Sequence, residues 1–152
     1  MLYFAYGMNT NRAGMAHRCP DARPLGAATL LNYSFRFAGP ADVEPSDGQR
    51  VEGVLWRITE QCLASLDVLE GYPTFYNREW AWVRHQNTDV IAQVYRMQPG
   101  HANSEPSVGY LDCVLQGYRD FGVSTEQIAK VLPKYNTFWL TQNCQFAIIM
   151  TY

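Results

Sequence analysis

Leu2-Tyr3-Phe4-Ala5-Tyr6-Gly7-Met8-Asn9 is a short aromatic run that stops at a glycine and passes into polar residues. An apolar stretch of this length, rich in rings that fill a pleated surface and bounded by a turn signal, predicts a buried strand feeding directly into a turn. In such a turn the main-chain N–H groups of Tyr6-Gly7-Met8-Asn9 can converge on an anion or a carbonyl oxygen, and Gly7 permits the close approach. The turn lacks the glycine count of a phosphate loop, and a strand-turn-helix connection with one glycine is also ordinary structure.

Working outward, Asn11 to Arg18 predicts a short helix capped by Asn9 or Thr10 and ended at Cys19-Pro20. Leu31, Tyr33, Phe35 and Phe37 recur at two-residue spacing, which predicts a half-buried strand over Leu30 to Phe37. Residues 39–50, rich in Gly, Pro, Asp and Ser, read as an exposed loop before a strand from Val51 to Ile58. Thr59 then caps a helix on which Leu63, Leu66 and Glu70 share one apolar face, close to the Gly71 that terminates it. Tyr76 to His85 and Val90 to Met97 predict a β-hairpin around the turn Gln86-Asn87-Thr88-Asp89. The helical spacing of Tyr110, Val114, Tyr118 and Phe121 predicts a helix from about Ser107 to Phe121. Ser124-x-x-Gln127 reads as a capping box for a last short helix closed by Pro133.

The 152 residues have the length of one ordinary domain, read as 1–152, and 47% hydrophobic content supports a core without disulfides or metals. A formal charge of −2 with scattered basic residues argues against a nucleic-acid partner. Cys19, Cys62, Cys113 and Cys144 form no CxxC pair, and His17, His85 and His101 stand apart from any metal-ligand spacing, so no metal or cofactor is called for. Reduced thiols, no signal-peptide core and no apolar stretch of about 18 residues predict a soluble cytoplasmic chain with no membrane partner. The apolar segment 136–152, with Phe138-Trp139-Leu140 and Phe146 to Met150, is expected to be buried or to form an oligomer interface, on which a homodimer could build.

Glu70 is the foremost chemical candidate. A carboxylate on an apolar helix face is desolvated, and the negative end of the helix dipole also disfavours its charge, so its pKa moves up toward the range useful for proton transfer. The alternative is a helix-end glutamate that turns to solvent or pairs with an arginine such as Arg78. Tyr76 and Tyr110 could aim hydroxyls at a polar ligand or bury their rings and bond locally. No Ser or Cys nucleophile constellation is present.

Several ordered stretches together resemble one family, the γ-glutamylcyclotransferases and their AIG2-like relatives. Phe4-Ala5-Tyr6-Gly7-Met8-Asn9 is similar to the family's N-terminal Tyr-Gly-Ser-Asn signature, with Arg18-Cys19-Pro20 and Gly26 following. Val51-Glu52-Gly53-Val54-Leu55-Trp56 and Leu66-Asp67-Val68-Leu69-Glu70-Gly71 resemble its central strand and acid-bearing helix, with Tyr76-Asn77-Arg78 beyond. Pro106-Ser107-Val108-Gly109-Tyr110-Leu111 resembles the segment that brings a tyrosine to the pocket. Coverage runs over about residues 2–122.

The resemblance implies an α+β fold, a small mixed β-barrel flanked by helices. It also implies a small-molecule γ-glutamyl substrate whose own α-amine attacks the γ-carbonyl, giving 5-oxoproline and a released amine or amino acid. Glu70 would move the protons, Tyr6, Gly7, Met8 and Asn9 would hold the glutamyl end, and Tyr76 and Tyr110 would line the pocket. Met8 departs from the family's serine. Other readings are a non-catalytic module that uses the same cavity to sequester or sense a small anionic or γ-glutamyl ligand, and an interaction protein in which the cavity is vestigial and the apolar tail is the working part.

Overall fold

Strand β1 (Leu2–Ala5) runs between β3 (Ala41–Arg57) and β5 (Thr88–Met97) and thereby closes a barrel. With β2 at Arg23–Phe37 and β4 at Tyr76–His85, the strand order is β1-β3-β2-β4-β5. The computed structural model describes residues 1–135, so the calls made on 136–152, burial or an oligomer interface, lie outside the described residues. Tyr3 and Gln93 make the parallel contact of β1 with β5, while the other pairings are antiparallel. The barrel is therefore mixed. Helices α1 (Arg12–Arg18), α2 (Glu60–Glu70), α3 (Val108–Phe121) and α4 (Glu126–Val131) complete the α+β fold that the resemblance implies. No helix among the described residues is long and apolar enough to cross a membrane.

The β2–β3 hairpin corrects the sequence reading in two places. Residues 41–50, expected as exposed loop, belong to β3, and β2 begins at Arg23 rather than Leu30. Loop-type composition is overridden by pairing with β2 and by Asp42, which is 1% exposed. The Asp42 carboxylate accepts from Arg36 Nε at 2.9 Å and from the Met97 N–H at 2.8 Å, pinning β3 to two neighbours. The even alternation expected through Leu31 and Tyr33 also breaks. At Asn32, with φ of 64°, the register shifts, so Ala28 and Leu30 face the core before it and Phe35 and Phe37 after it. Between the pairs Leu31–Arg50 and Tyr33–Pro45, β2 holds Asn32 and β3 holds residues 46–49, and such a break in the ladder lets a strand exchange its faces.

Three boundaries move for local reasons. Gln86 and Asn87 both have positive φ, 49° and 63°, which makes a two-residue primed turn, so Thr88 and Asp89 start β5 rather than belong to the turn. Helix α1 is capped by Asn11, whose side chain accepts from the Gly14 N–H at 2.9 Å. Asn9 and Thr10, expected as caps, lie buried in a 3-10 turn over Met8–Thr10. The Ser124 and Gln127 capping box does not form. Gln127 instead accepts from the Glu52 N–H at 2.7 Å and donates to the Glu52 carbonyl at 2.8 Å, satisfying strand backbone that burial would otherwise leave unpaired.

Helices α2 and α3 follow their sequence signals. Thr59 caps α2 by accepting from the Cys62 N–H at 3.1 Å, and Gly71, in the left-handed region at φ 63°, ends it. Ser107 and Gly122 do the same for α3. Gly117 lets α3 lie directly on the Met8–Thr10 turn, since a Cβ there would come within 2.1 Å of Thr10 Oγ1 and 2.5 Å of the Asn11 nitrogen.

Candidate active site

β1 delivers the chain to Gly7 with Tyr6 anchored at its hydroxyl and its carbonyl. The Tyr6 hydroxyl donates to the Tyr95 carbonyl at 2.6 Å, and the Tyr118 hydroxyl donates to the Tyr6 carbonyl at 2.8 Å. In the turn that follows, the Gly7 carbonyl accepts from the Thr10 N–H and hydroxyl, and the Met8 carbonyl accepts from the Asn11 N–H. The carbonyls are thus engaged inward, while the first turn of a helix leaves its N–H groups without intrahelical acceptors. Gly7 is required by space rather than by its backbone angles: a Cβ would meet Tyr110 Oη at 2.8 Å and Ala41 Cβ at 3.2 Å.

These residues open on a cavity of about 250 Å³. Glu70 lines it from the end of α2, Tyr76 from the start of β4, Tyr110 from α3, and Tyr6, Gly7, Met8 and Asn9 from the first turn, so every residue singled out in the sequence meets here. Arg78, the alternative partner considered for Glu70, pairs instead with Asp67 at 3.3 Å and stacks on the Tyr72 ring. Glu70 is held by Asn9, whose Nδ2 donates to Oε1 at 3.0 Å. Burial pushes the Glu70 carboxyl up to about 7, against the opposing pull of the Arg18 charge and the Asn9 hydrogen bond.

The tyrosines fix one another through Ala41. The Tyr76 hydroxyl donates to the Ala41 carbonyl at 2.6 Å, and the Tyr110 hydroxyl accepts from the Ala41 N–H at 3.0 Å. Tyr110 therefore keeps its own proton to give, and burial raises its pKa to about 12. Tyr3, Tyr6, Tyr76 and Tyr95 are raised as well, by burial first, so the cavity holds neutral phenols around one carboxyl.

The sequence reading did not single out Tyr3, Tyr95 or Arg18 as site residues. Tyr3 and Tyr95 line the cavity, and Arg18 reaches Asn9 Oδ1 from behind at 2.8 Å. The Tyr3 hydroxyl, on a strand read as buried, was the available signal, because a buried phenol must find a partner. Leu69, Phe75 and Pro40 form the apolar part of the wall. From residues 39–50 the wall takes Pro40 and Ala41, and from Tyr72 to Phe75 it takes Phe75. Residues 99–105 stay behind it, with the His101 ring 4.9 Å from that of Phe75.

Comparison with known proteins gives a consistent match. The family model described as gamma-glutamyl cyclotransferase, AIG2-like, matches residues 3–112. A Drosophila melanogaster relative described as a gamma-glutamylcyclotransferase is 32% identical over 68 residues, 45% of this chain and 40% of that protein, so the matched part is less than half of either. The gamma-glutamylcyclotransferase of Bos taurus is 26% identical over 144 residues, covering 86% of this chain and 76% of that protein. A solved structure titled gamma-glutamyl cyclotransferase superimposes with a TM-score of 0.77 at 26% identity, over 86% of this chain and 85% of that one.

Proposed function

The chain belongs to the gamma-glutamyl cyclotransferase, AIG2-like family, and from that premise we propose that it cyclises the γ-glutamyl group of a small γ-glutamyl amine or peptide to 5-oxoproline. The observation that carries this reading is Glu70, a carboxyl pushed by burial up to about 7, in a cavity lined by tyrosines and facing the Gly7-Met8-Asn9 turn. No protein nucleophile is needed, because the α-amine of the substrate attacks its own γ-carbonyl.

In the proposed sequence the glutamyl end folds against the main-chain N–H groups of Gly7, Met8 and Asn9, and the Tyr110 hydroxyl donates a further hydrogen bond. The Glu70 carboxylate takes a proton from the α-ammonium, the freed amine forms the ring C–N bond, and the γ-carbonyl oxygen becomes an oxyanion held by those donors. Collapse breaks the bond to the leaving nitrogen as Glu70 returns the proton to it. The α-nitrogen gives up two protons in all, one before attack and one as the lactam forms, and the departing amine takes both as an ammonium. An acid near pH 7 suits both transfers, since it is neither too weak a base for the first nor too weak an acid for the second. Folding the substrate into an attack-ready shape supplies part of the acceleration, since orientation effects reach about 7–11 kcal/mol in favourable intramolecular cases.

The test is 5-oxoproline release from a panel of γ-glutamyl amines, dipeptides and glutathione, with wild type set beside Glu70→Gln. Release by wild type that falls about 10²–10⁴-fold in the variant supports the reaction and the residue together. Binding of a γ-glutamyl compound with no release by either protein would instead favour a sequestering or sensing module.

A further inference from the structure

Arg18 stands behind the cavity wall rather than in it. It closes α1, and its Nη2 donates to Asn9 Oδ1 at 2.8 Å, while Gly14 one turn earlier leaves room for the guanidinium: a Cβ there would lie 2.8 Å from Nη2. A guanidinium donates hydrogen bonds and accepts none, so the side of the Asn9 amide that faces it must be oxygen. The NH₂ group is thereby turned toward Glu70 Oε1 and Tyr3 Oη, each at 3.0 Å. Asn9 is 3% exposed, which leaves its orientation to these partners. Were the amide reversed, its oxygen would face the carboxyl, an arrangement that only the protonated acid can satisfy.

We propose that Arg18 is a positioning residue that acts on Glu70 through Asn9, fixing the amide so that the site favours the carboxylate needed to receive the proton of the substrate ammonium. The catalytic consequence rests on the cyclotransferase reading; the effect on Glu70 itself does not.

The other groups around Glu70 do not substitute for Arg18. Tyr3 and Tyr6 from the first strand and its turn, Tyr76 from β4, Tyr95 from β5 and Tyr110 from α3 are phenols kept neutral by burial. Asp67, on the same helix as Glu70, is engaged by the Tyr95 hydroxyl and by Arg78. Among the described residues, Arg18 is thus the cation that opposes the burial of Glu70, both by its charge and by the amide it orients.

The experiment follows the Glu70 carboxyl carbon by ¹³C NMR against pH in wild type, Arg18→Met, Arg18→Gln and Arg18→Lys, alongside pH profiles of 5-oxoproline release. Arg18→Met and Arg18→Gln are expected to raise the Glu70 midpoint by about one unit, so that kcat at pH 7 falls about fivefold and recovers in alkaline solution while KM stays put. Arg18→Lys keeps a charge and a donor and is expected to restore most of the wild-type midpoint. A Glu70 midpoint unchanged in both Met and Gln variants, or a loss of kcat equal at every pH, would overturn the proposal and leave Arg18 a structural residue. If wild type releases no 5-oxoproline, the functional reading fails, and the NMR midpoints still decide what Arg18 does to Glu70.

Discussion

A carboxyl that titrates at about 7 in the folded chain, against an ordinary 4.5, binds its proton more tightly folded than unfolded. The corresponding stability is present below pH 4.5 and is lost as pH rises through 7, the window between the two values. Glu70→Gln removes the titration, so the variant should match wild type near pH 4 and exceed it at pH 8 by on the order of 2 kcal/mol, after discounting for partial exposure. Thermal melts across that range check the prediction, and an equal Tm difference at all pH values would sink it. Met8 is the second residue with a defined expectation. Its carbonyl is taken by the Asn11 N–H, and its contribution to the cavity is through main chain and bulk, so Met8→Ser should change turnover only a few-fold while altering which leaving groups are accepted. A loss near that of Glu70→Gln would show that side-chain chemistry matters at this position. Glu70 was legible in the sequence because helical spacing put it on the face of Leu63 and Leu66 and Gly71 marked the end of the turn. Arg18 was not, because its effect passes through Asn9 to a residue 61 positions further on, a relation that no local pattern contains.

At the scale of elements, the site depends on how closely α3 and α2 approach the first turn. Gly117→Ala would drive a methyl into Thr10 Oγ1 and the Asn11 nitrogen, contacts of 2.1 and 2.5 Å that include backbone and cannot be relieved by a side-chain rotation. A loss of about 1–3 kcal/mol in denaturant melts is expected, with turnover falling more than stability alone explains, because the displaced turn carries Gly7, Met8 and Asn9. Gly71→Ala acts differently, through a left-handed backbone and a 3.2 Å contact with Phe75 Cβ, and should cost about 1 kcal/mol while loosening the end of α2 that holds Glu70. Caps and glycines made these helices readable, since their physics is local. The β2–β3 hairpin was readable only in part. Pro45, Ser46, Asp47 and Gly48 have the composition of a loop, and what holds this stretch within a strand is the pairing on either side of it, Tyr33 with Pro45 and Leu31 with Arg50, together with the Gly48 N–H donated to Asn32 Oδ1. The bulge at Asn32 was likewise invisible, because two equal alternations, one through Leu30 and one through Leu31, are resolved only by which face meets the core.

For the molecule as a whole, the cavity is where the barrel is joined with fewest main-chain contacts. The register of β1 with β5 consists of the pair Tyr3 and Gln93, whereas β1 pairs with β3 over four positions. Side chains carry the rest of that seam: Tyr6 donates to the Tyr95 carbonyl, and the Tyr3 and Tyr95 rings meet edge to face at 5.8 Å. The same residues line the cavity, so a ligand there would bridge the first turn, β5, the end of α2 and the start of α3 across the weakest join. A ligand that binds only the folded chain stabilises it by about 2.7 kcal/mol at a hundred times its Kd. For a chain of this length that corresponds to a Tm increase of roughly 5–10 °C. 5-Oxoproline is a suitable probe because ring opening by the reverse reaction needs an amine, so without one it is not consumed. Amide hydrogen exchange should then slow at Gly7, Met8 and Asn9 and along β1 and β5, with little change over residues 23–31 of β2, none of which lines the cavity. Protection spread evenly over the barrel would indicate binding elsewhere, and no protection at saturating 5-oxoproline would argue that the cavity does not hold the lactam product.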